Sequence, residues 1–214
     1  MKRMENSILK SKNCLITGAT GGLGKEIAIE LAKKGVNLFL TSKKQDLQKL
    51  QLEIKKNNNE IIIEYQCVDL RHDNGVKTLI ENVHEKFSSI DILINCAGEN
   101  HRKPLSESTI EEYDSCMNLN VRAPFVLSKE FSKDMIKNKW GRIVNIASSG
   151  AYNGLKNTVI YRSSKHALLG LSRSLTNELK EFNVRTYCFS PGPMKTEMGK
   201  EIINKENHKE KFET

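Results

Sequence analysis

The chain predicts an α/β protein: one doubly wound parallel β-sheet with helices on both faces, in a single domain. Two observations carry this. Short apolar runs alternate six times with stretches whose apolar residues recur at three- and four-residue spacing. The first apolar run also passes through a glycine-rich turn straight into a helix. The 214 residues suit one core, and neither an internal repeat nor a linker interrupts them.

Asn13 to Gly18 reads as a buried strand that ends at a glycine. Thr17-Gly-Ala-Thr-Gly-Gly-Leu-Gly24 leads into Lys25–Lys34, where Ile27, Ala28, Leu31 and Ala32 fall at helical spacing and Gly35 stops the helix. In that context the glycines indicate a dinucleotide site. Gly18 permits the tight turn, and Gly22 and Gly24 let backbone approach a pyrophosphate and the helix pack close to the strand. The helix N-terminus offers N–H groups and a partial positive charge to the phosphates. Val36–Thr41 is a second strand. No acidic residue follows it to take a ribose 2′-hydroxyl; the chain continues Ser42-Lys43-Lys44, which suits a 2′-phosphate. NADP(H) is therefore expected over NAD(H).

Residues 45–57 form a helix through Leu47, Leu50 and Ile54, and Asn57-Asn-Asn59 is a turn. Residues 61–68 form a third strand. Asp69 at its end is placed either to accept from an adenine amino group or to cap the helix at 74–88. Ile90–Asn95 is a fourth strand, leading into Asn95-Cys-Ala-Gly98, whose small residues let backbone lie against a ligand. A loop at 99–108 precedes a helical region over about 109–139, which Pro124 should end or bend near Ala123. Residues 141–147 form a fifth strand with Ser148-Ser149-Gly150 at its end. A helix at 158–182 carries Leu168, Leu171, Leu175 and Leu179 on one stripe, and Val184–Ser190 is a sixth strand closed by Pro191-Gly-Pro193. Ligands bind beyond the carboxyl ends of strands in open parallel sheets, so Ser148, Asn95, the glycine turn and Asp69 should face one crevice.

The helix at 158–182 contains Tyr161-Arg-Ser-Ser-Lys165. Residues four apart on a helix share a face. A free phenol titrates near pH ~10 and is a poor proton donor or acceptor at neutral pH, but a cation beside it favours the phenolate. The pair can therefore move a proton on or off a hydroxyl or carbonyl oxygen.

These parts resemble the short-chain dehydrogenase/reductase family in its single-domain reductase branch, over about residues 12–198. Thr17 to Gly24 matches the family's glycine motif, Asn95-Cys96-Ala97-Gly98 its Asn-Asn-Ala-Gly with a Cys in second place, and Tyr161/Lys165 its Tyr-x-x-x-Lys. The resemblance implies a Rossmann-type fold and a catalytic set of Asn120, Ser148, Tyr161 and Lys165. Ser148 would hold the carbonyl oxygen and Tyr161 donate the proton. Lys165 would lower the tyrosine pKa and hold the nicotinamide ribose, and Asn120 would hold a water linking Lys165 to solvent. It also implies cofactor contacts from Gly18, Thr20, Gly22, Leu23 and Gly24 in the turn, Ser42 and Lys43 after the second strand, and Asp69 and Leu70 after the third. Asn95, Ala97 and Gly98 follow the fourth strand, Tyr161 and Lys165 lie on the helix, and Pro191, Gly192, Met194 and Thr196 follow the sixth, with Thr196 where a Thr commonly meets the carboxamide. The implied activity is hydride transfer between nicotinamide and a carbonyl or secondary alcohol, on a 3-oxoacyl, sugar or small ketone substrate. The implied assembly is a homodimer, with a tetramer as the alternative.

Residues 1–11 read as an N-terminal extension, 12–203 as the NAD(P)-binding domain and 204–214 as a polar tail. After Gly192 22 residues remain, so a substrate lid and seventh strand are expected to be shortened or absent. That shortness raises a second function class, a non-catalytic or partner-completed dinucleotide-binding protein. The net charge of +8 comes without a Lys/Arg stripe interleaved with aromatics, which argues against nucleic acid. No apolar run reaches bilayer length and no secretory h-region is present. Cys14, Cys67, Cys96, Cys116 and Cys188 are odd in number and lack metal spacing, so reduced thiols, no metal site and a cytoplasmic location are expected.

Overall fold

Side-chain alternation along the central strands sends apolar groups to both sides of the sheet, as a strand between two helical layers requires. Leu15, Phe39 and Leu93 enter one core, while Cys14, Ile16, Leu38, Leu40, Ile92 and Ile94 enter the other. The computed structural model describes residues 8–194 and Thr196. Its elements run β1 (Asn13–Thr17), α1 (Gly22–Lys33), β2 (Asn37–Ser42), α2 (Leu47–Lys55), β3 (Ile63–Cys67), α3 (Asp73–Lys86), β4 (Ile92–Asn95), α4 (Ile110–Met117), α5 (Ala123–Lys137), β5 (Gly141–Ile146), α6 (Val159–Leu179) and β6 (Val184–Phe189). Helices α1 and α2 cover one face through Ala28, Ala32, Leu47, Leu50 and Ile54. Helices α3 and α5 cover the other through Val76, Leu79, Val83, Leu127, Phe131 and Met135.

All strand pairs are parallel, in the order β3-β2-β1-β4-β5-β6. The order reverses between β1 and β4, so the connections leaving their carboxyl ends diverge and leave a crevice. Register places one polar row across that edge: Gln66 beside Thr41, then Thr17, Asn95, Asn145 and Cys188. The four middle members are buried.

Pro124 neither ends the helical region nor sharply breaks it. Five residues, Asn118–Arg122, form a π-helical turn that joins α4 to α5, and Pro124 sits in the first turn of α5. The Ala123 N–H donates to the Asn118 carbonyl, one residue farther back than in an α-helix. Proline has no N–H to give the carbonyl of residue 120, so widening the preceding turn accommodates the ring without stopping the helix. The third strand starts at Ile63, two residues later than the apolar run, because its pairing with Leu38 on β2 begins there. Residues 1–7 of the N-terminal extension, the polar tail, the lid and any seventh strand lie outside the described residues. Six strands form the sheet among those described. No helix among them is long and apolar enough to cross a membrane.

Candidate active site

The glycine turn closes the crevice at the end of β1. Gly18 has φ +67°, and a Cβ there would sit 2.8 Å from backbone atoms of Ala97. A Cβ on Gly24 would collide with the Gly18 carbonyl oxygen, so α1 packs directly on the turn. Gly22 lies against Thr196, whose Cγ2 would be 2.6 Å from an added Cβ. Leu23 is half-buried beside it. The N-cap of α1 is Gly21, with no side-chain cap and no acid in the first turn. The amides that open α1 are thus left for an anion. This bare, closely approachable turn fits a dinucleotide pyrophosphate.

Thr17 ties that turn to the next one. Its Oγ1 accepts from the N–H groups of Cys96 and Ala97, both at 3.0 Å. Thr20 and Ser42 meet hydroxyl to hydroxyl at 2.6 Å, and the Lys44 N–H donates to Ser42 Oγ. Lys43 and Lys44 are exposed beside them. Asp69 does not cap α3, whose N-cap His72 makes no side-chain bond. Its carboxylate accepts from the Arg71 backbone and guanidinium, which hold its pKa down to about 2. Leu70 is in the core, so its approach to a cofactor would be through backbone. Asn95 Nδ2 donates to Asn145, which donates to Ser172, so this amide links β4 through β5 to α6. After β6, the Pro191 carbonyl accepts from the Ser149 N–H, holding residues 191–194 beside the serine turn. Gly192 is exposed and Met194 half-buried.

The four residues matched to catalytic positions lie around the end of β5. Ser148 caps a short turn at Ser149–Ala151, its Oγ accepting from the Gly150 N–H at 3.1 Å. The Ser148 hydroxyl also pulls the Tyr161 pKa downward. Lys165 is 5% exposed, donates to the Ile146 carbonyl at 2.9 Å and lies 5.7 Å from the Tyr161 ring centre. Burial brings its pKa down to about 8. Fully buried Asn120 donates to the Glu99 carbonyl (3.0 Å) and Ser164 Oγ (2.9 Å) and accepts from the Glu99 N–H (3.0 Å). A Cβ on Gly98 would sit 3.3 Å from Asn120 Oδ1 and 3.5 Å from Lys165 Nζ. The amide, the ammonium and the glycine turn after β4 thus meet at one place.

Two features of the structure bear on the expected roles of Tyr161 and Asn120. Burial, the largest influence on Tyr161, raises its pKa, and the downward pulls come from Ser148, Arg162 and Arg102 rather than from Lys165. In this structure the Asn120 side chain bonds protein groups, tying the residue 99 backbone to α6. Arg102, Arg162, Thr17 and Ser164 escape sequence reasoning. Arg162 lies inside the Tyr-x-x-x-Lys motif, but one step along a helix turns it away from the Tyr161/Lys165 face, so spacing does not link it to the chemistry.

Comparison with known proteins agrees with this geometry. A family model described as short chain dehydrogenase matches residues 12–207. The 3-oxoacyl-(acyl-carrier-protein) reductase of Buchnera aphidicola is 34% identical over 195 residues, 91% of this chain and 78% of that one. The 5-keto-D-gluconate 5-reductase of Escherichia coli is 29% identical over 202 residues, covering 92% and 78%. Among solved structures, a metagenomic short-chain oxidoreductase in complex with NADP superposes with a TM-score of 0.81 at 30% identity, covering 86% of this chain and 83% of that one.

Proposed function

The chain belongs to the short-chain dehydrogenase/reductase family and is an NAD(P)-dependent oxidoreductase, and from that premise we propose that it interconverts a ketone and a secondary alcohol with NADP(H). The observation that carries this is the convergence of Ser148, Tyr161, Lys165 and Asn120 beside the glycine turn at the switch point of the sheet. A bound dinucleotide would supply the hydride that the carbonyl carbon takes up. Ser148 holds the carbonyl oxygen, and Tyr161 gives it the proton that completes the alcohol. Burial keeps Tyr161 protonated in the resting site, the form that donates. Lys165, placed by the Ile146 carbonyl, holds the ribose and supplies positive charge as the phenolate forms. Asn120 keeps the turn after β4 against that ammonium.

The Thr20–Ser42 hydroxyl pair beside exposed Lys43 and Lys44 supports NADP(H). Relatives that act on 3-oxoacyl and keto-sugar-acid substrates support the same carbonyl class. Five free cysteines support work in the cytoplasm. An apolar hollow lined by Met117, Val121, Phe125 and Leu171 supports a homodimer through α5 and α6.

Tyr161→Phe tests the reading. Turnover with a panel of ketones should fall by about 10²–10⁴, while NADPH binding, read by fluorescence titration, stays close to wild type. Comparable turnover would overturn the assignment.

A further inference from the structure

The Ser148 hydroxyl has one proton to give and lone pairs with which to receive. Its Oγ accepts from the Gly150 N–H at 3.1 Å, which leaves the O–H to donate to a carbonyl oxygen. Where that donor points therefore depends on where the Gly150 amide is held. The turn is closed on itself by the Ala151 N–H, which donates to the Ser148 carbonyl at 2.9 Å. Its near end is fastened by the Ser149 N–H, which donates to the Pro191 carbonyl at 2.9 Å. Beyond it, residues 152–157 are exposed.

Arg162 fastens the far end. It follows Tyr161 on α6 and is half-buried. Its Nη1 donates to the Asn153 carbonyl at 2.9 Å and to the Asn153 side-chain oxygen. The arginine also runs past Gly150. A Cβ built on that buried glycine would sit 3.4 Å from Arg162 Cγ, 3.5 Å from Arg162 Cζ and 3.4 Å from Ser148 Oγ. The same point beside Gly150 is therefore bordered by the serine hydroxyl and by the arginine. A planar guanidinium fork suits two oxygens of one residue better than a lysine ammonium does.

We propose that Arg162 is a positioning residue for the carbonyl-binding hydroxyl: by strapping Asn153 to α6 and lying against Gly150, it fixes Ser148 at its spacing from Tyr161. This rests on the reading of Ser148 and Tyr161 as the pair that acts on the carbonyl oxygen. The strap acts through the Gly150 amide, so Arg162 needs no contact with the substrate. Methionine at this position would still fill space beside Gly150 but would donate nothing to Asn153.

Two measurements test it, with circular dichroism reporting folding. Solvent exchange of the Gly150 amide, read by heteronuclear NMR, should quicken by roughly fivefold or more in Arg162→Met, the order expected for one hydrogen bond. Arg162→Lys should fall between that variant and wild type. The second measurement is NADPH-dependent reduction of ethyl acetoacetate, followed in single turnover. Arg162→Met should lower the rate by roughly tenfold at every pH, leave the Kd for NADPH unchanged, and be rescued in part by Arg162→Lys. In a Ser148→Ala background the same substitution should cost nothing further, because the residue through which it acts is gone. The charge of Arg162 also reaches the Tyr161 phenol, and a loss that only moves the pH profile along its axis would assign the residue to that influence instead. That outcome, unchanged Gly150 exchange, or a full loss of rate in the Ser148→Ala background overturns the proposal. Faster Gly150 exchange in Arg162→Met, in a protein that binds NADPH but reduces no ketone, upholds the strap and counts against the reductase reading.

Discussion

At pH 7 Lys165 is an ammonium with 5% of its surface exposed, and a pKa of about 8 expresses what burying that charge costs. From an ordinary value of 10.5, the shift corresponds to roughly 3 kcal/mol. The folded state releases this proton at lower pH than the unfolded state, so the penalty is full below about pH 8 and fades as pH rises toward 10.5. Lys165→Met should therefore abolish turnover yet unfold at higher urea, by about 2 kcal/mol at pH 7 after losing the Ile146 bond. The gap should narrow at pH 10; a variant less stable than wild type at pH 7 would contradict this. At the other end of the crevice, Lys43→Ala with Lys44→Ala should weaken NADPH relative to NADH by about tenfold, near the value of one charged contact. Equal loss for both cofactors would reduce the pair to surface. The Tyr161/Lys165 relation is legible in sequence because four-residue spacing fixes a shared helix face. The direction of the Tyr161 shift is not, because it depends on what the rest of the chain packs around the ring.

Among the elements, the π-helical turn at Asn118–Arg122 is the one that sequence reading locates without identifying. Proline announces a disturbance near Ala123, but whether the helix stops, kinks or widens depends on what the neighbouring elements hold. Here Asn120 fastens the turn to the Glu99 backbone and to Ser164 on α6. Asn120→Ala leaves that N–H, that carbonyl and the Ser164 hydroxyl short of a partner. The expected loss is about 2–4 kcal/mol in urea unfolding, with faster hydrogen exchange at 99–108. An unchanged exchange rate there would show that the loop is held by other contacts. The remaining elements follow the apolar periodicity closely, with strand ends displaced by one or two residues where pairing rather than hydrophobicity sets the limit.

For the molecule as a whole, the alternation of strands and helices was enough to anticipate the parallel sheet, while the polar row from Gln66 to Cys188 depends on register that no local pattern displays. The apolar hollow on α5 and α6 is likewise a surface assembled from separate segments. Phe125 is 49% exposed within it. Phe125→Glu should convert a dimer to monomer in sedimentation velocity with the circular dichroism spectrum unchanged; an unaltered sedimentation coefficient would place the dimer contact elsewhere. The Asn120 clasp has one more consequence. It grips residue 99 by its main-chain N–H and carbonyl, which every side chain at that position except proline's would leave in place. The segment from 99 to 108 is therefore moored by a fitting that is indifferent to its cargo. New side chains can be installed along it while Tyr161 and Lys165 on α6 stay at their station.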